Sequence, residues 1–157
     1  MGRTGFSRSL VLVLALPAIG PAAEICPWLN AATADGVLGG PVAVTVSRAK
    51  IGDDASCRFI RHDGSLLSEL GIEVETMPSP AKDFPSYAAR CHSAGVPLKA
   101  IGNEAQACSD EAAEQVIGRV RDRVFLIRIT TGDRSAQPAI LRDKARKVAE
   151  QVAGILF

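Results

Sequence analysis

The chain reads as an α+β domain: an antiparallel β-sheet of about five or six strands, with N-terminal, middle and C-terminal helices packed on one face. Three observations predict it. Apolar residues alternate with polar ones over 42–48, 70–76 and 116–121, the period of a half-buried strand. Strand-like runs follow one another through short Gly/Asp/Asn turns, with no βαβ repeat. Residues 138–155 carry Leu141, Ala145, Val148, Val152 and Ile155 at helical spacing. The expected order is α-β-β-β-α-β-β-β-α.

Residues 1–23 read as a secretory signal peptide outside the fold. Arg3 and Arg8 form a basic start, 10–19 is a short apolar run, and Gly20, Ala22 and Ala23 supply small residues for cleavage after Ala22 or Ala23. The apolar run falls well short of the roughly 20 residues of a membrane span. Cys26 is a poor lipidation site, because the charged Glu24 and bulky Ile25 directly precede it. The expected mature chain, 24–157, is one domain in the periplasm or outside the cell, with no stable membrane insertion. Removing Arg3 and Arg8 from the 18 basic residues leaves 16 against 17 acidic ones, a net charge of about −1. That balance, with few aromatic residues and no basic stripe, excludes a nucleic-acid partner.

The elements follow in order. Asn30 is a good N-cap, 31–38 is helix-permissive, and Gly39-Gly40 ends the helix. Trp28, Leu29 and Leu38 supply its core face. Val42, Val44 and Val46 outline one face of the first strand. Gly52-Asp53-Asp54 turns the chain into a second strand over 56–61, carrying Cys57, Phe59 and Ile60. His62-Asp63-Gly64-Ser65 is a hairpin turn with Asp-Gly at its centre. The third strand puts Leu70, Ile72, Val74 and Thr76 on one face and Glu69, Glu73 and Glu75 on the other. Pro78, Pro80 and Pro85 then break the chain, and a short helix over 84–92 follows. Within 98–131, Gly102-Asn103 is a turn. Val116, Gly118 and Val120 alternate with Ile117, Arg119 and Arg121. The run 124–129 is apolar apart from Arg128, so the pair reads as an outer strand beside a more central one. Pro138 suits the first turn of the final helix.

Four cysteines follow the signal: Cys26, Cys57, Cys91 and Cys108. An even count in an exported chain predicts two disulfides, with three possible connectivities. Cys26–Cys57 and Cys91–Cys108 are favoured. The first ties the N-terminal segment to a strand, and the second ties the middle helix to the region of the last hairpin.

Several residue groups have the composition of a site, each with a plainer structural reading. His62-Asp63 is a possible catalytic or metal pair, or simply the hairpin. Cys91-His92 with Cys57 and Cys108 suggests zinc or a thiol nucleophile. Zinc sites usually carry close ligand pairs such as C-x-x-C, and none occurs here. Glu73 and Glu75 share a strand face, as paired carboxylates do in glycoside hydrolysis, and equally as any solvated face does. Gly102, Asn103 and Glu104 are the ligand-binding candidates. Gly and Asn tolerate positive φ, and Glu104 then either caps a backbone amide or faces a ligand. No P-loop, G-x-S-x-G, H-E-x-x-H or dinucleotide-binding glycine pattern occurs in context. No catalytic residue, metal or cofactor is assigned.

The layout Cys26-Pro27-Trp28-Leu29, Gly39-Gly40, Cys57-Arg58-Phe59, Gly102-Asn103-Glu104-Ala105 and a closing amphipathic helix resembles small exported bacterial proteins. More distantly it resembles actinobacterial lipoproteins and sensor-kinase ectodomains with a PsbP-like fold. The resemblance implies a binding or accessory domain whose partner is a small ligand or an envelope protein. Two alternatives belong to other classes. One is a small secreted enzyme using Glu104 or His62 with Arg58 or Arg128 as donor. The other is a structural or inhibitory partner acting through a sheet edge.

Overall fold

The computed structural model describes Met1 and residues 25–48, 54–91, 93–110 and 113–157. The expected signal peptide beyond Met1, Gly52 and Asp53 of the first turn, and His92 lie outside the described residues.

Helix α1 spans Ala31–Leu38, bounded as its sequence demands. The Asn30 side chain accepts the Thr33 N–H at 2.8 Å, and Gly39 takes the left-handed conformation (φ 83°) that closes the helix. Strands β1 (Ala43–Arg48), β2 (Ala55–Asp63) and β3 (Leu66–Thr76) form an antiparallel meander. The β2–β3 loop is Gly64-Ser65, with Gly64 at φ 59°. The expected centre, Asp63-Gly64, is thus shifted by one residue. His62 and Asp63 extend the strand, because Gly64 is the residue there that tolerates positive φ freely.

Helix α2 covers Pro80–Ala88 rather than 84–92. Pro80 breaks nothing, since first-turn N–H groups have no intrahelical partner. The Asp83 carboxylate accepts the Ser79 N–H at 2.8 Å and caps that turn. After α2 come β4 (Val96–Leu98), β5 (Glu104–Asp110), β6 (Ala113–Val120) and β7 (Arg123–Thr131), then α3 (Pro138–Leu156). The sheet has seven antiparallel strands in the order β1-β2-β3-β7-β6-β5-β4. Strand β4, the addition to the expected order, is a three-residue edge strand containing Pro97. The sheet is two meanders joined where β3 pairs with β7, so β6 and β7 are both interior and neither is an outer strand.

The helices occupy both faces. One continuous row, Cys57, Ile72, Ile127, Val116 and Ala107, crosses five strands in register and is buried under α1 and α3. The opposite face of β6 and β7 carries Ile117 and Val124, which form a smaller core with Phe84 of α2 and Met77. The crossover from β3 to the far edge runs over this face and places α2 there. The expected one-sided arrangement is therefore corrected: α2 packs opposite α1 and α3. Ile117, read as the polar side of an alternation, is buried because that side has its own helix.

Trp28, Leu29 and Leu38 enter the main core as expected. The disulfide Cys26–Cys57 pins their segment to the sheet, and Cys91–Cys108 ties the chain after α2 to β5. Both favoured pairings are present. In α3 the buried face is Ala145, Val148, Ala149, Val152 and Ala153. Ile155 is 54% exposed, because the true stripe drifts with the 3.6-residue period toward Ala149 and Ala153. Gly118 faces Phe125 in the β6–β7 register, and the phenyl ring occupies the space a Cβ would need.

Candidate functional site

Gly102, Asn103 and Glu104 sit where β5 begins, against the β6–β7 turn. Gly102 has φ 60°, and a Cβ there would collide with the Arg119 carbonyl. The Asn103 N–H donates to that carbonyl at 2.7 Å, and its side-chain oxygen accepts the Arg121 N–H at 2.6 Å. Arg121 is itself at φ 54°, a conformation costly for any residue with a Cβ and here held by Asn103. Arg119 Nε donates to Glu104 Oε1 at 2.7 Å. The three residues thus brace a neighbouring turn, with Glu104 on Arg119.

The other candidate groups are dispersed. His62 is exposed and alternates onto the α2 face of β2, away from Asp63, whose carboxylate accepts from Arg61 at 2.6 Å. Arg58 makes a two-point contact with Glu69 at 3.0 and 2.8 Å, and Arg128 lies 3.5 Å from Asp110. Neither joins Glu104 or His62. All four cysteines are in disulfides, so Cys91 is no free thiolate. Glu73 and Glu75 each lie 3.9 Å from Arg90, which stacks on Tyr87 with its guanidinium 4.6 Å from the ring centre. The Tyr87 hydroxyl donates to Glu75 at 2.9 Å. Burial, and then the adjacent Glu75, push the Tyr87 phenol above its ordinary range.

Two polar clusters that no motif announced lie on the α1/α3 side. Glu114 is 3% exposed. It accepts from Ser109 Oγ at 2.9 Å and from Arg142 Nε at 3.1 Å, while Arg142 also donates to Ser109 at 2.8 Å. The buried carboxylate is therefore fully matched by donors, and we read it as a structural tie between α3 and the sheet. At the other end, the Arg123 guanidinium lies 5.5 Å from the Trp28 ring centre and 3.4 Å from Asp54.

A shallow cleft of about 510 Å³ lies beside Trp28, Asn30, Gln151 and Ile155; a deeper one, of about 280 Å³, lies between the end of α1, the β2–β3 hairpin, the end of β7 and the start of α3. Val37, Leu66, Ile129, Ile140 and Leu141 form its apolar walls. Leu66 and Ile140 are 43% and 52% exposed, apolar surface left open where one wall faces the other. The polar side has Arg61, Asp63, Ser68, Thr131, Asp133 and Lys144.

Local chemistry fixes these groups. Arg61 donates to the Leu38 carbonyl at 2.9 Å and to Asp63, and it lies across Gly40, where a Cβ would be 2.7 Å from its Nε. Gly39-Gly40 thus does two things: it ends α1 and leaves room for a guanidinium. The Ser68 and Thr131 hydroxyls are 3.2 Å apart across the β3–β7 pairing. Asp133 accepts the Ser135 N–H and O–H at 2.8 and 2.7 Å, which hold its carboxyl below the ordinary range. Lys144 is half-buried and has no ion-pair partner among the described residues. The cleft lining holds two hydroxyls, Ser68 and Thr131, and two carboxylates, Asp63 and Asp133. Its arrangement suits binding: apolar walls, a few convergent polar groups and one unmatched cation.

Apart from Asp63, considered only with His62, sequence reasoning missed these residues because they come from four separated segments. The traces it did leave are the glycine pair opposite Arg61 and the adjacent leucines Leu66-Leu67 directly after a turn.

Compared with family models, curated proteins and solved structures, the chain matches no family model and shows no significant match to a curated protein or a solved structure. Two disulfides fit an oxidising compartment. Among the described residues, no helix is long and apolar enough to cross a membrane.

Proposed function

We propose that this protein is an exported, non-catalytic binding domain of the periplasm or extracellular space, and that it takes a small ligand in the cleft between α1, the β2–β3 hairpin and α3. Kinship with PsbP-like ectodomains belongs to the same proposal. The observation that carries the reading is the cleft itself: open apolar side chains, Leu66 and Ile140, with the half-buried Lys144 also in its lining. The readings as an enzyme draw less support, since Glu104 is engaged by Arg119 and His62 stands exposed with no polar partner among the described residues.

The test is a fragment screen on the disulfide-bonded protein, read by backbone amide NMR shifts, beside the variant Ile140→Trp, which fills the cleft from an exposed position. Fragments should shift the amides around Leu66, Thr131 and Lys144, and Ile140→Trp should remove that response. Binders that cluster elsewhere, or that ignore the tryptophan, would reject the cleft as the site.

A further inference from the structure

The hydrogen-bonding groups of the cleft are unequal in supply. Arg61 is held by the Leu38 carbonyl and Asp63, and Asp133 by Ser135. Lys144 alone among these charges has no partner among the described residues. Thr131 Oγ1 accepts the Asp133 N–H at 3.1 Å and stands 3.2 Å from Ser68 Oγ. One of these two hydroxyls donates to the other. Whichever does, one O–H hydrogen is left over. The polar side therefore presents an ammonium and a spare hydroxyl donor, with the exposed Leu66 and Ile140 opposite.

We propose that the cleft binds a small monocarboxylate, a carboxylate ending a short apolar chain. This rests on the binding reading above and specifies the ligand's chemistry. The carboxylate is taken by Lys144 and the spare Ser68/Thr131 hydroxyl, and the chain lies against Leu66 and Ile140. A half-buried ammonium gains more from a carboxylate than from a neutral acceptor of the same shape, because a charge-assisted hydrogen bond is about twice as strong as a neutral one. A single charge is favoured over two. Asp63, with its side chain 65% exposed, and the exposed Asp133 also line the cleft and repel a second carboxylate. A volume of about 280 Å³ suits a short chain and not a long one.

Octanoate and its uncharged counterpart octanamide are the probes, titrated into the disulfide-bonded protein by calorimetry, with amide NMR locating the site. Octanoate should bind in the cleft about tenfold more tightly than octanamide, the discrimination a charge-assisted contact gives. Lys144→Gln should bring the two to equal affinity, Lys144→Arg should keep the preference, and Ile140→Trp should abolish both. Equal affinities for the unaltered protein, or a preference that survives Lys144→Gln, would overturn the carboxylate assignment and leave the cleft intact as a site. Binding of neither probe in the cleft would overturn the monocarboxylate assignment, and only a fragment screen also failing there would take the binding reading with it.

Discussion

Replacing Gly118 by alanine tests the centre of the sheet with one methyl group. Gly118 lies in β6 directly opposite Phe125 of β7, and Phe125 is fully buried. A Cβ built on Gly118 comes closer than 3.0 Å to three atoms of that ring. The ring cannot swing into solvent, and its neighbours in the row, Val74 and Ala105, are buried too. Forcing a methyl into such packing costs about 1–3 kcal/mol. Restricting the unfolded chain returns about 0.4–1 kcal/mol. The net expectation is a loss of about 1.3 kcal/mol at the middle of those ranges and at most about 2.6, read from the midpoint of a urea transition at unchanged slope. Phe125→Leu should relieve the clash, so the double variant Gly118→Ala/Phe125→Leu should lose less than the two single changes summed. A stabilised Gly118→Ala protein would mean that the glycine is an ordinary strand residue and that the ring does not cover it.

Three further expectations follow from the described contacts. Replacing Cys26 and Cys57 together by alanine should cost about 3.7 kcal/mol, and Cys91 with Cys108 about 3.1 kcal/mol, from loops of 31 and 17 residues by the chain-entropy estimate; equal melting points for oxidised and doubly substituted proteins would contradict both. Arg142→Ala should cost about 2–3 kcal/mol by stranding the buried Glu114, whereas Arg142→Met with Glu114→Met should recover most of it in denaturant titrations. A single-variant loss below about 0.5 kcal/mol would show that the pair is no tie. Tyr87 is the single tyrosine, so its phenolate absorbance reads one group. Because its folded value is raised, the stability it contributes is present below about pH 10 and is lost as the pH climbs through the folded value. Tyr87→Phe should remove that alkaline loss, and an ionisation midpoint at the ordinary value would contradict the burial of the phenol and, with it, the Glu75 contact.

Much of the fold was legible because its signals are local. Asn30 and Gly39 mark the ends of α1 by side-chain and backbone chemistry that needs no neighbour. The cysteine pairing was readable because each cysteine joins the next one along the chain. What failed depended on distant segments. Pro97 hid β4, which is a strand only because β5 offers it an edge. The second helical face showed in the sequence as Ile117, an apolar residue on the nominally polar side of an alternation, yet nothing local said which helix would cover it. The cleft was illegible for the same reason. Arg61, Ser68, Thr131 and Lys144 carry no motif and meet only when β3 pairs with β7. Gly102 and Asn103 were correctly seen as turn-competent, but the turn they support is partly that of Arg121, eighteen residues from Asn103.

The joint between the two meanders has a consequence for how the chain matures. Cys26–Cys57 lies wholly within the first meander and its helix, and Cys91–Cys108 wholly within the second. Neither bond crosses the β3–β7 seam, where Ile72 meets Ile127. A chain emerging N-terminus first can therefore oxidise each pair as soon as its second cysteine appears. No sulfur has to wait for a partner in the other half, and no early bond must later be undone by exchange. The step left for last is the docking of two already cross-linked halves along one ladder of backbone hydrogen bonds. That long-range pairing, rather than disulfide reshuffling, is the step expected to set the pace of folding.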